Sequence, residues 1–202
     1  VDQQQFNNLN LGGKLPLGNT FFKLRGRLSS QYNITKNIID GLENTTKTFS
    51  NTSELSIEYE TDSIFIEIGA EYSYSKPNNS LPFYNNNPFT TQNYYGEMSF
   101  ELPWNMEFEI SGEYTINNQW ADGYNISFFL IDCYLGKRFL ENENLILALE
   151  GNDILNQNTM VQRYVQNNMI IDDRTTIISR YFLLKLTYKF NNKKTKPKDE
   201  NF

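Results

Sequence analysis

The sequence predicts an all-β protein, an antiparallel transmembrane β-barrel. Three observations carry that prediction. Apolar and polar residues alternate over many separate segments, whereas helical periodicity is nearly absent. Several segments run to ten residues or more, and a tilted strand needs about 9–11 to cross a bilayer. The connections alternate short and long, as tight periplasmic turns and long outer loops do in outer-membrane barrels.

Nine strands are expected, near 5–15, 20–32, 48–60, 64–75, 92–102, 106–117, 125–139, 144–154 and 176–190. The first ends at the turn "LPLGN" (15–19). In the second, "FFKLRGRLSS", Phe22, Leu24 and Leu28 oppose Lys23, Arg25 and Arg27. The third brings Glu54, Glu58 and Glu60 alongside those cations and stops at "ETDS" (60–63). In the fourth, Ile64, Ile66, Ile68, Ala70, Tyr72 and Tyr74 share one side; Phe65, Glu67, Gly69, Glu71 and Ser73 share the other. The fifth ends at "PWN" (103–105). The sixth sets Met106, Phe108, Ile110, Tyr114 and Ile116 against Glu107, Glu109, Ser111, Glu113 and Thr115. The seventh and eighth are separated by "ENEN" (141–144). The last has Phe182, Leu184, Leu186, Tyr188 and Phe190 on one face and Lys185 and Lys189 on the other. Longer loops are expected at about 33–47, 76–91, 118–124 and 155–175.

Alternation alone fits a soluble sandwich as well, because both folds have one wet face. Strand length, loop asymmetry and aromatics at strand ends (Tyr94, Trp104, Trp120, Phe139, Phe190) favour the barrel. The apolar face then meets lipid, and the charged face lines the lumen. A one-residue slip of the last strand would turn Lys185 and Lys189 to lipid, at roughly 2–4 kcal/mol each at the midplane.

Composition narrows the function classes. Among 202 residues there are 28 Tyr and Phe, one cysteine (Cys133), no histidine and a net charge of −6. The acidic balance gives no reason to expect nucleic acid. No intrachain disulfide can form, a structural zinc site lacks ligands, and Ser-His or Cys-His catalysis is excluded. No run of about 18 apolar residues offers a transmembrane helix. Val1 is not an initiator methionine, so the chain reads as processed, trimmed or part of something longer. Neither an enzyme nor a cofactor is expected.

The charged faces invite a functional reading. Lys23, Arg25 and Arg27 meet glutamates, and farther round Glu67, Glu71, Glu107, Glu109 and Glu113 belong to an acidic wall. Such a wall serves as a cation-attracting or plug-docking surface, or simply solvates a wet lumen, which is the plainer reading. "GNDILNQN" can bind a ligand through Asp153 and its neighbours, or end a strand and start a loop, as Asn and Asp commonly do. In "IIDDR", Asp172 and Asp173 supply too few of the about 6–8 oxygens that Ca²⁺ takes.

The last third carries a recognisable order of segments: "WADGYNISFFLIDCYLGKRFL" (120–140), "LILALEGNDILNQN" (145–158) and "DDRTTIISRYFLLKLTYKFN" (172–191). They resemble the C-terminal end of outer-membrane β-barrels related to TonB-dependent receptors, of the Bacteroidota type. The residues that carry this are Asp153, Leu155, Asn156, Gln157 and Asn158, then Arg180, Tyr181, Phe182, Tyr188 and Phe190. The resemblance is clear over about 100–191 and weaker over 1–99. It implies residence in the outer membrane of a Gram-negative bacterium, among lipid and lipopolysaccharide. It also implies a plug inside a larger barrel, opened through the TonB energy-transducing complex, for substrate uptake. A non-transporting platform for a surface lipoprotein or another membrane complex is the alternative. Residues 1–191 are then barrel strands with their turns and loops. Residues 192–202, polar and without apolar periodicity, are expected to form a flexible periplasmic tail.

Overall fold

The computed structural model describes residues 3–18, 20–82, 84–118, 120, 124–166, 169–175 and 178–190. Nine antiparallel strands form one sheet: β1 (Gln3–Pro16), β2 (Phe22–Ile39), β3 (Leu42–Glu60), β4 (Ile64–Asn79), β5 (Phe89–Leu102), β6 (Met106–Asn118), β7 (Ser127–Phe139), β8 (Leu145–Asn152) and β11 (Tyr181–Tyr188). Each pairs with its predecessor in the chain, except that a separate hairpin of β9 (Met160–Gln166) and β10 (Met169–Thr175) intervenes before β11. β11 then returns to β8, in a register running from Tyr181 opposite Asn152 to Tyr188 opposite Leu145.

The tight turns follow from local chemistry. At the β1–β2 turn the Leu17 N–H donates to the Phe22 carbonyl (2.9 Å). Between β3 and β4 the Thr61 hydroxyl accepts the Ile64 N–H (3.1 Å) while the Thr61 N–H donates to the Ile64 carbonyl (2.8 Å). Between β5 and β6, Trp104 and Asn105 both take positive φ (64° and 57°), the conformation whose twist suits a hairpin.

Two expected loops are strands instead. Residues 33–47 continue β2 and β3 to a two-residue turn at Asp40 and Gly41, with φ of 51° and 81°. Asp-Gly is a favoured pair for that turn because both positions need a left-handed backbone. Short and long connections therefore do not alternate strictly. The 155–175 segment likewise contains β9 and β10. The expected tail, 192–202, lies outside the described residues.

The distribution of side chains is inside-out. Among the described residues, buried side chains include Asn44, Thr46, Ser56, Glu58, Asn79, Thr115, Asn117 and Asp153, against Pro77, Phe89, Trp120 and Ala148 as apolar ones. The opposite face exposes large apolar groups: Leu55 is 58% accessible, Ile68 54%, Leu184 75% and Leu186 69%. A water-soluble sandwich would show the reverse. Inner side chains also reach past their neighbours: Lys14 on β1 to Glu58 on β3, and Tyr95 on β5 to Glu54 on β3. Such reach means that the sheet curls toward its polar side.

The apolar belt has a definite height. Along β4 it runs from Ile64 to Tyr74 on the outer face. Ten steps of about 3.4 Å at a tilt of about 40° give roughly 25 Å, the height of an outer-membrane barrel's apolar band. Rings mark both rims. Phe22 packs against Tyr59 near the tight turns (4.9 Å between centroids), and Tyr114 against Phe129 near the other end (6.3 Å). Phe139 and Phe190 lie at the tight-turn end and Tyr94 toward the other, all exposed. Trp104 sits in a turn, 79% accessible. Trp120 breaks the expectation: it is buried, its indole N–H donates to the Thr90 carbonyl (3.3 Å), and it is no part of a lipid-facing rim.

Candidate functional site: the inner wall

The inner wall has two zones. Near the tight turns it is ionic. Strand pairing sets Glu58 opposite Glu67, Glu54 opposite Glu71, Glu67 opposite Glu97, and Glu101 opposite Glu107. Like charges directly across a ladder repel, so cations are needed between them. Arg25 meets that need: one Nη lies 3.4 Å from Glu58 and the other 3.4 Å from Glu67. Glu58 also receives Lys14 (2.6 Å) and Lys23 (3.1 Å). Lys23 pairs further with Glu60, and Arg27 with Glu54 (3.6 Å). The expected neighbours thus touch. Lys14 joins them although it was not anticipated; its alternation with Leu9, Leu11 and Leu15 is the signal that could have found it.

Farther round the wall, acids predominate. Glu107 is held by Arg138 (2.9 Å), which also faces Glu143 (3.7 Å). Glu150 pairs with Lys185 of β11. Glu113 accepts the Thr115 hydroxyl (3.2 Å). Glu109 and Glu97, with Asp132, Tyr134 and Glu150, border a cavity of about 420 Å³. Tyr95 hugs the wall. Its ring covers Gly69, where a Cβ would collide with it, and its hydroxyl donates to Glu54 (2.7 Å).

Toward the long-loop end the wall becomes neutral. Hydroxyls pair across strands: Ser50 with Ser75 (3.0 Å), Thr52 with Ser73 (3.0 Å), Thr46 with Asn79 (2.7 Å) and Thr91 with Asn117 (3.1 Å). The β9–β10 hairpin lies against this zone through Arg163. Its guanidinium sits 5.2 Å from the ring centroids of both Phe89 and Trp120 and is clamped by the Asp172 carboxylate (2.6 Å). Asp172 is therefore committed to an arginine on the facing strand, and its neighbour Asp173 is exposed. Arg163 itself escaped sequence reasoning, because a lone arginine in a polar stretch carries no pattern.

The Asp153–Asn158 segment is a stapled turn. Asp153 is buried, with φ of 47°, and its two carboxylate oxygens accept the backbone N–H groups of Gln157 (2.9 Å) and Asn158 (3.1 Å). Its own N–H donates to Asp132 on β7 (2.7 Å). The Gln157 side chain accepts the Phe129 N–H (3.1 Å), and the Asn156 side chain accepts the Arg180 N–H (3.2 Å). Arg180 reaches back to the Ile154 carbonyl (3.4 Å), while Leu155 is exposed. Of the two openings left by the sequence, a ligand site or a turn, the hydrogen bonds describe the turn: it ties β7, the end of β8 and the start of β11 together. Beyond it, Tyr181 and Phe182 open β11; Phe182 lies over Gly151, and Tyr188 packs edge-on against Phe190 (4.8 Å).

A curled antiparallel sheet with a wet charged inside and an apolar belt outside is the wall of an outer-membrane barrel. The family comparison agrees: the outer membrane protein beta-barrel family matches residues 7–188. The chain belongs to that family, and its place is the outer membrane. No curated protein and no solved structure matches it.

Proposed function

We propose that this sheet is part of the wall of a larger, plugged barrel of the TonB-dependent-receptor type, which admits a substrate across a Gram-negative outer membrane. The observation that carries the reading is the open sheet. Among the described residues β1 and β11 each pair on one side only. Unpaired backbone groups in lipid cost several kcal/mol each, so both edges must be paired, and in this reading further strands cover them. Those strands come from the same polypeptide or another. The order of the closing segments supports the receptor class and a Bacteroidota source. In this reading the wall performs no chemistry. Its ionic zone faces water and a plug, and opening depends on the TonB energy-transducing complex.

The test is the mass of the membrane-bound polypeptide that carries these strands, together with uptake in a strain lacking the gene. A receptor-sized species whose loss abolishes growth on one nutrient is expected. A closed barrel with no uptake defect and stoichiometric protein partners would replace transport with the platform reading. One feature favours that second reading: beyond the belt the outer face of the β2–β3 hairpin mixes polar Lys36, Thr45 and Lys47 with exposed Ile38, an amphipathic surface outside lipid that a lipoprotein can cover.

A further inference from the structure

Between the hairpin and the neutral zone lies a cavity of about 410 Å³. That falls within the ordinary range of small-molecule sites, about 300–1,000 Å³. Its floor is the hydroxyl ladder of β3 to β6, with Ser50, Thr52, Ser73, Ser75, Thr91 and Asn117, and its far side is Val161 and Arg163 of β9. We propose that this cavity is a binding site for a neutral polyhydroxylated solute, a saccharide unit in its commonest form.

Three features point to that chemistry. The first is charge. Among the described residues Arg163 is the charged side chain bordering the cavity, and it pairs with Asp172. The described lining thus offers no excess charge for an ionic solute, in contrast to the acidic cavity on the same wall. The second is hydrogen-bonding capacity. A hydroxyl has one donor and two acceptor lone pairs. In each pair, Ser50 with Ser75 and Thr52 with Ser73, one proton is spent between the partners. The other proton and several lone pairs stay available. A row of groups that both give and accept suits a ligand whose own hydroxyls do the same. The third is amphipathic texture. Threonine methyls, the rims of Phe89 and Trp120, and Val161 place carbon between the hydroxyls. A sugar ring likewise sets C–H surface between its polar edges. The aromatic faces hold Arg163, so recognition runs through the hydroxyl floor and not through ring stacking.

The proposal rests on the barrel-wall reading but not on transport. The full-length protein, solubilised in detergent, is titrated calorimetrically with maltotriose and with inositol, and separately with glucuronate and with a lysine dipeptide. Saturable binding of a neutral probe, with none for the charged ones, is expected. The double variant Thr52→Val, Ser73→Ala should weaken it about tenfold, the loss of two modest hydrogen bonds. Ser53→Ala, on the outer face of the same strand, should leave it unchanged, and both variants must show the wild-type heat-resistant band on gels. No saturable binding of either neutral probe, preference for a charged one, or binding that ignores the double variant overturns the proposal. Uptake of the bound sugar by cells is scored independently. Binding without uptake removes the transporter and keeps the site; uptake with binding that ignores the double variant does the opposite.

Discussion

Ile68→Arg tests the central claim, that the apolar face meets lipid. Ile68 lies near the middle of the β4 belt, four residues from Ile64 and six from Tyr74, on the outer face opposite Gly96 and Ile57. It is 54% accessible, so an arginine fits without steric conflict and the cost is one of solvation. An arginine at the midplane of a barrel's lipid face costs about 2–4 kcal/mol, falling to about 0–1 at the interface. At about 1.4 kcal/mol per decade, Ile68→Arg should shift the folding equilibrium by roughly 30- to 1,000-fold. Tyr74→Arg, at the belt's edge, should shift it by less than about fivefold relative to Tyr74→Ala, which loses the same ring contact with Phe49. The assay is urea unfolding of the full-length protein refolded into vesicles, with folded fraction read from gel mobility without heating. Equal costs at the two positions, or a negligible cost at Ile68, would refute the lipid assignment, since a water-facing arginine has no depth dependence.

Three further outcomes follow from the inner wall. Asp153→Ala should cost about 1–2 kcal/mol, because two backbone N–H groups in a partly exposed turn lose a buried carboxylate as acceptor; a lower temperature for loss of the folded gel band reports it. Gly69→Val should cost about 1–3 kcal/mol by colliding with the Tyr95 ring and the Ser56 Cβ, and Tyr95→Ala in the same chain should recover the part due to the ring. Arg163→Ala should free the β9–β10 hairpin and leave the main sheet intact. Limited proteolysis should then cut within 160–175 many times faster, while the unfolding midpoint stays within about 1 kcal/mol of wild type.

What the sequence made legible is what a bilayer dictates. Where one face must be apolar and the other wet, the code has a strict period of two. The nine strands of the main sheet stand where Leu24, Ile66, Phe108 and Leu184 alternate with Arg25, Glu67, Glu109 and Lys185. The upper halves of β2 and β3 leave the belt, so Asn33, Thr35, Thr46 and Thr48 alternate with residues that are often polar too, and the pattern fades. Only the Asp40-Gly41 pair still marked the hairpin. Trp120 misled for a related reason: an aromatic at a strand end reads as a membrane rim until the fold shows which way it turns. The ionic pairs were foreseeable because neighbouring strands are neighbours in the chain. The Arg163 clamp was not, since β9 meets β5 through the curl of the sheet and not through the ladder.

The stapled turn at Asp153 has a consequence for how such a wall can diversify. Arg180, which leads into β11, is tied to Asn156 and Ile154, so the start of the last strand is fixed by residues before the hairpin and not by the hairpin itself. The stretch from 159 to 179 is thus a cassette with both ends clamped. Its length can double for about 0.6 kcal/mol of closure entropy. Its contents can be exchanged without moving the register of Leu184 against Leu149. Relatives can therefore re-furnish the interior at this one place while the lipid-facing architecture stays constant.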